Sequence, residues 1–229
     1  ETAHARLAGV VAHDVAQRGL GDAQLLRLDA VALHLLGQQV LLGDRDLLVG
    51  RVPVEPDDLL NAVIGAMDDC LANVPPDAVI DAIGTSCFWH SVVPVDADNL
   101  PIGPVLLWSD RRCADVVDAL RNEQPNLPDI TGCPWHASFA IAKIEWWKRS
   151  GFATPFRWLS PAEWVESQLL IDASGPSTCM ASASGCMDQA NQCWLSDYAP
   201  LLNPISDTPR IQLAHSFTER WPLLRDVPW

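Results

Sequence analysis

From residue 53 onward the chain alternates between two hydrophobic periods. Pro56-Asp57-Asp58 is followed by Leu59 or Leu60, Val63, Met67 and Cys70 or Leu71. That is helical spacing, opened by a proline and two carboxylates at the positive end of the helix dipole. Asn73 and Pro75-Pro76 predict its end. The apolar run 79–83, stopped by Gly84-Thr85-Ser86, predicts a strand ending at a turn. Residues 92–95 and 105–108, separated by the polar turn Asp96-Ala97-Asp98-Asn99, predict a β-hairpin. Ser109 or Asp110 is placed to cap a helix with apolar positions Cys113, Val116, Val117 and Leu120, ended by Pro125 and Pro128. Thr131-Gly132-Cys133-Pro134 predicts a loop. Ala140, Ile141, Ile144 and Trp147 mark a further helix. Ser160-Pro161-Ala162-Glu163 is a capping box with Pro at the first helical position. Residues 172–193, rich in small side chains, predict loop or weak hairpin, and 217–224 a short helix interrupted by Pro222. The pattern leaves 207–213 undecided. Alternation of helix and strand from 53 to 170 predicts the α/β class.

Residues 1–50 read differently. They hold no aromatic side chain, and the first in the chain is Phe88. The stretch 40–49 predicts a hairpin around Gly43-Asp44-Arg45-Asp46, while 23–36 is compatible with helix or strand. His13-Asp14 reads as solvated surface.

Composition narrows the function classes. With 48% apolar and 19% charged residues the chain is globular. A net charge of −14 removes the cationic footprint that nucleic-acid binding needs. No 18-residue apolar run predicts a membrane span, and no basic start with an apolar core predicts a signal peptide. Seven cysteines without a CxxC pair predict free, buried thiols in a reducing cytoplasm and no zinc site. Glu1 in place of Met, and an extended end at Arg225-Asp226-Val227-Pro228-Trp229, predict a piece of something larger. Glycine-rich dinucleotide, P-loop and nucleophile-elbow signatures are absent from the sequence.

Two strand ends carry candidate chemistry. Cys87-Phe88-Trp89-His90-Ser91 places a thiol, two large aromatics, an imidazole and a hydroxyl where ligands of open α/β sheets sit. Trp108-Ser109-Asp110-Arg111-Arg112 places an aromatic, a carboxylate and two guanidiniums at the next strand end. A Trp face suits the apolar side of a sugar, and Asp and Arg suit its hydroxyls and any carboxylate. Each cluster by itself is equally explained by a core aromatic, a satisfied imidazole and an N-capping Asp. The pair together favours binding.

The motifs Ser86-Cys87-Phe88-Trp89-His90, Trp108-Ser109-Asp110-Arg111, Thr131-Gly132-Cys133-Pro134 with Lys143 and Trp146, and Ala183-Ser184-Gly185 with Trp194 follow one another in a familiar order. In order and spacing they resemble the FGGY carbohydrate kinases, and among these the gluconate kinases, which share the Cys-Phe-Trp-His form. The resemblance implies a ribonuclease-H-like, actin-type α/β lobe with a mixed sheet and flanking helices. It implies that 52–229 is most of the first, sugar-binding lobe, truncated before the second, and that 1–51 is a divergent or out-of-register segment. It implies a small sugar or sugar acid as partner, and ATP with Mg in the full-length protein but no cofactor for this segment. Trp89, His90, Trp108, Asp110 and Arg111 are the substrate-binding residues it implies. Ser138 falls where glycerol kinases carry a sugar-contacting Tyr. The departures are as specific. No Asp-x-Gly-Thr occurs in 1–50, and no Gly-Asp-Gly or Gly-Asp-Gln motif supplies the family's catalytic Asp. The implied activity is phosphorylation of a primary hydroxyl of gluconate by the whole protein, with this chain inactive by itself. A non-catalytic sugar-binding module and the product of a broken kinase reading frame are the competing expectations.

Overall fold

The structure, a computed structural model, describes residues 54–75, 79–80, 82–85, 87–171, 175–207 and 213–229. The hairpin expected at 40–49 and the segment 23–36 lie outside the described residues. Helix α1 (Pro56–Ala72) begins as its sequence predicts. Pro56 occupies the first turn, where its missing N–H is no loss, and Asp57 and Asp58 face the positive end of the helix. Leu59 and Val63 are buried, and the helix closes with the Asn73 N–H on the Cys70 carbonyl and the Val74 N–H on the Leu71 carbonyl.

The strand expected at 79–83 does not form among the described residues. Val79 is 69% exposed, and Ile83 makes a single backbone bond, from its N–H to the Pro228 carbonyl at 2.8 Å. A strand needs a ladder, and one bond is not a ladder. The expected hairpin forms in outline. Strand β1 (Val93–Val95) leads to a turn in which the Asp96 carboxylate accepts the N–H groups of Asp98 and Leu100, both at 2.9 Å. The return strand is interrupted by Pro101 and Pro104, which carry no N–H. Among the described residues it meets 92–95 at the Val95–Pro101 and Val92–Leu106 bridges. The ladder of β1 is instead made with β2 (Arg157–Leu159), antiparallel, in the register Val93–Leu159, Pro94–Trp158 and Val95–Arg157.

This small sheet is buried on both faces, and alternation sorts its side chains. Val93, Val95, Val105, Leu107 and Leu159 pack with α1 and with Trp164, Val165 and Leu169 of α5 (Pro161–Leu169). Val92, Leu106 and Trp158 pack with Val117 and Leu120 of α2 (Ala114–Glu123) and with Ile141, Ile144 and Trp147 of α4 (Ala140–Arg149). The result is helix, sheet, helix in three layers.

Two helix boundaries differ from expectation. Cys113, not Ser109 or Asp110, is the N-cap residue of α2, because the Asp110 carboxylate is taken up by Arg112. Pro128 does not end α2 but sits in the first turn of α3 (Leu127–Thr131), and Gly132 closes α3 with φ 67°. The capping box of α5 is complete, Ser160 Oγ accepting from the Glu163 N–H and Glu163 Oε2 from the Ser160 N–H. Residues 178–182 form a one-turn helix, α6 (Thr178–Ser182), capped by Ser177, ahead of the weak hairpin β3 (Met187–Asp188) and β4 (Cys193–Trp194). Helix α7 (His215–Arg220) precedes a 3₁₀ turn at Pro222–Leu224. The cysteines are free, with Cys113, Cys133 and Cys186 buried but Cys179 and Cys193 exposed on the one-turn helix and the edge hairpin. The expectation of uniformly buried thiols therefore fails for these two. No helix among the described residues is long and apolar enough to cross a membrane.

Candidate functional site

The Val92–Leu106 pairing sets the site. Beside that bridge, Ser91 Oγ accepts the Trp108 N–H at 3.1 Å, which ties the turn at 89–90 to the turn at 108–109. Both tryptophans of the sequence motifs stand at this end with much of their surface free, Trp89 at 51% and Trp108 at 45% exposure. Indoles of that size are ordinarily buried, so two half-bare ones beside each other's strand ends mark a contact surface.

His90, next to Trp89 and with its ring 6.2 Å from the indole, has φ 67°, a left-handed conformation uncommon for a residue with a Cβ. Its Nδ1 is 2.6 Å from the Ala183 carbonyl oxygen, and its ring meets Phe139 edge-on at 4.5 Å. Burial lowers the His90 pKa below its ordinary value, and the nearby Lys143 and His136 lower it further against the opposing effect of the Ala183 bond. The ring is therefore neutral at neutral pH.

Behind His90 lies a buried ammonium. Lys143 is fully enclosed, and its Nζ donates to the carbonyls of Ala137, Ser138 and Phe139 at 2.9, 2.5 and 3.5 Å. Burial pulls its pKa down to about 8, with Cys113 and Asp110 acting in the other direction. The three carbonyls belong to the segment that carries Phe139 to His90, so Lys143 fixes that segment from inside.

Asp110 is buried, and Arg112 closes on it in a fork. Oδ1 accepts the Arg112 backbone N–H and Nε, and Oδ2 accepts Nε and Nη2, at 2.5 to 3.0 Å. Four contacts occupy the lone-pair directions of a carboxylate. Burial pushes the Asp110 carboxyl up, but the Arg112 bonds and charge outweigh it and leave it below the usual range. The same guanidinium lies 5.0 Å above the Trp146 ring. Arg111, its neighbour, is exposed and has no partner among the described residues. Ser138 holds His136, Oγ to Nδ1 at 2.8 Å, on the exposed side.

Of the residues singled out from the sequence, the structure brings Trp89, His90 and Trp108 to one strand end and turns Asp110 toward Arg112. Arg112, Phe139 and the role of Lys143 were missed. Lys143 carried a legible signal, because it falls at the helical spacing of Ala140, Ile144 and Trp147 and so on the inward stripe of α4. The Cys87 thiol is pushed up to about 11 by burial, which removes it as a nucleophile at neutral pH. Beneath His90 a cavity of about 40 Å³ is lined by Ser91, Ala140, Glu163, Ser184 and Trp194 among others. That is room for one or two waters and not for a larger ligand. Among the described residues no group of three or more His, Cys, Asp or Glu is placed to hold a metal ion.

Comparison with known proteins gives the family and the fold. Residues 46–211 match the model of the FGGY family of carbohydrate kinases, N-terminal domain. The gluconokinase of Bacillus subtilis (strain 168) is 27% identical over 149 residues, a match covering 61% of this chain and 28% of the relative. The gluconate kinase from Lactobacillus acidophilus superposes with a TM-score of 0.71 at 20% identity, over 79% of this chain and 39% of that one. A ligand-bound xylulose kinase from the same organism gives the same TM-score, 0.71, at 20% identity, again over 79% of this chain and 39% of that one. The fold is thus the ribonuclease-H-like, actin-type fold of these kinases, and the chain spans about two-fifths of the length of the solved structures it matches. A family match over most of the chain, on the fold that its likeness to the solved kinases shows, makes this chain a member of the FGGY family of carbohydrate kinases, matching their N-terminal domain.

Proposed function

We propose that residues 52–229 are the sugar-binding lobe of a kinase that phosphorylates a primary hydroxyl of gluconate, with 1–51 a divergent or out-of-register segment. The observation that carries this reading is the pair of half-exposed indoles, Trp89 and Trp108, with His90 next to Trp89. Indole faces cover the C–H face of a polyol, and the imidazole serves a hydroxyl. Arg111, exposed and unpartnered among the described residues, supplies a cation for a sugar acid's carboxylate. That favours gluconate over a neutral ketose such as xylulose. Asp110 contributes by bracing Arg112 and through it Trp146.

ATP with Mg would supply the phosphoryl group in the whole protein. The described residues offer no cluster of His, Cys, Asp or Glu to hold the metal. What these side chains can do is bind and orient, which in phosphoryl transfer is a large share of catalysis. The chain by itself is expected to transfer no phosphoryl group.

Calorimetry of the 229-residue chain tests the reading. Gluconate should bind without ATP, with a Kd on the order of millimolar, and ATP should leave that heat unchanged. Heat with xylulose but not gluconate would move the substrate to neutral sugars. Silence with both would remove the sugar-binding assignment.

A further inference from the structure

A carbonyl oxygen has no proton to give. The 2.6 Å contact between His90 Nδ1 and the Ala183 carbonyl therefore requires the hydrogen to sit on Nδ1. In the neutral ring Nε2 is then a bare lone pair, able to accept and unable to donate. Nε2 bonds to no protein group among the described residues. It also reaches solvent, because Trp229 Nε1 is the one sealed, unpartnered polar side-chain atom among the described residues.

The turn that presents this carbonyl is held firmly through the two residues that follow it. The Ser184 carbonyl accepts the Ile141 N–H at 3.1 Å, at the start of α4. Ser184 Oγ donates to the Ala181 carbonyl at 2.6 Å and accepts the Cys186 N–H at 2.9 Å. Gly185 has φ 80°, and a Cβ there would stand 2.7 Å from Ile141 Cγ2. Only glycine lets the turn press this closely on α4. His90 meets the turn from its own left-handed position. Two uncommon backbone conformations thus converge on one hydrogen bond.

We propose that the 183–185 turn is a positioning device that locks His90 as the Nδ1–H tautomer, leaving Nε2 as an obligate acceptor that selects a ligand hydroxyl donor at that point. The second half of this rests on the sugar-binding reading above, and the first half does not. The lock also divides labour within a sugar acid. A carboxylate, having no hydrogen to give, is excluded from Nε2 and is left to Arg111.

Nitrogen-resolved NMR of the histidine rings in the 229-residue chain tests the lock directly. Neutral His90 should show a protonated Nδ1 and a bare Nε2 whose resonance shifts on adding gluconate. Gly185→Ala should mix the two tautomers and weaken gluconate on the order of tenfold, the worth of one well-placed hydrogen bond. If that variant does not fold, two substitutions at His90 replace it. His90→Asn keeps a donor near Nδ1 and loses the acceptor, and should lose the sugar. His90→Gln places an acceptor near Nε2 and should retain part of the binding. A protonated Nε2 in the unliganded chain overturns the proposal, as does equal binding by the Asn and Gln variants. A protonated Nδ1 with neither gluconate nor xylulose shifting Nε2 leaves the lock standing and overturns the substrate reading instead.

Discussion

The two faces of the central sheet are built from the same kinds of residue and closed in opposite ways. On one face, Val93, Val95, Leu107 and Leu159 meet α1 and α5 in an apolar layer, and its ion pair, Asp68 with Arg220, stays outside on the surface. On the other, α4 carries an ammonium into the core at Lys143, and a carboxylate and an imidazole stand beside it at Asp110 and His90. Hydrophobic burial is non-directional and needs only the right period. A buried cation needs particular partners in particular places. The first face holds the fold and the second places the chemistry, which predicts that stability and ligand recognition can be separated by mutation.

Leu169→Ala should have the largest effect on stability. Leu169 is fully buried in the apolar layer, and the truncation is expected to cost about 2–5 kcal/mol in urea unfolding. The His90 ring signals of the folded fraction should not move. If they move as far as those of a variant on the other face, the two layers are not independent. Lys143→Met comes next. It keeps the side-chain volume but takes the ammonium from the Ser138 carbonyl and from those of Ala137 and Phe139, which keep the Cys113 thiol and the Ala142 N–H, an expected loss of about 1–3 kcal/mol. Here the His90 signals should move, because the carbonyls of 137–139 position Phe139 against it. The sign of the pH effect is fixed as well. A positive neighbour lowers an imidazole pKa, so removing the Lys143 charge should raise the His90 pKa toward the ordinary 6.5. A lower value in an NMR titration would contradict the arrangement.

The same contrast governs what the sequence made legible. The helices of both layers were read from spacing, and the capping box at Ser160 from four letters, because period and local capping are short-range properties. The strand misread at 79–83 had the composition of a strand but, among the described residues, only Pro228 to pair with. Composition reports propensity, and pairing is a tertiary fact. The return of the hairpin was broken by Pro101 and Pro104, both visible beforehand. At the site, the tryptophans and His90 were legible as an unusual cluster. Which arginine would close on Asp110 was not, since Arg111 and Arg112 are adjacent letters and only the turn decides which one folds back. The partner of His90 lies 93 residues away and is a main-chain carbonyl, which no side-chain pattern reveals.

Smaller effects sharpen the comparison at its edges. Ser160→Ala removes the hydroxyl half of the capping box and should cost about 1 kcal/mol. Glu163, the other half, also accepts from Asn203 and lines the cavity below His90. The Ser160 variant should therefore disturb the site less than Lys143→Met while lowering the unfolding midpoint measurably.

Asp68→Asn should be the mildest change, and its pH dependence is what identifies it. The Asp68 carboxylate accepts from the Arg220 guanidinium and from the Trp221 indole N–H, tying the C-terminal helix to α1. The Arg220 bond, then the Trp221 bond, hold its pKa near 2 against the ordinary 3.8. The folded value lies below the unfolded one, so the contribution is complete above about pH 4 and disappears as the pH falls through about 2. Being solvent-exposed, the clamp is screened and weak. The urea midpoints of the native chain and of Asp68→Asn should therefore differ slightly at neutral pH and converge as the solution is acidified past pH 4. A gap between Asp68→Asn and the native chain that persists at pH 2 would mean that the apolar contacts of Trp221, and not the charge, hold the helix to this face.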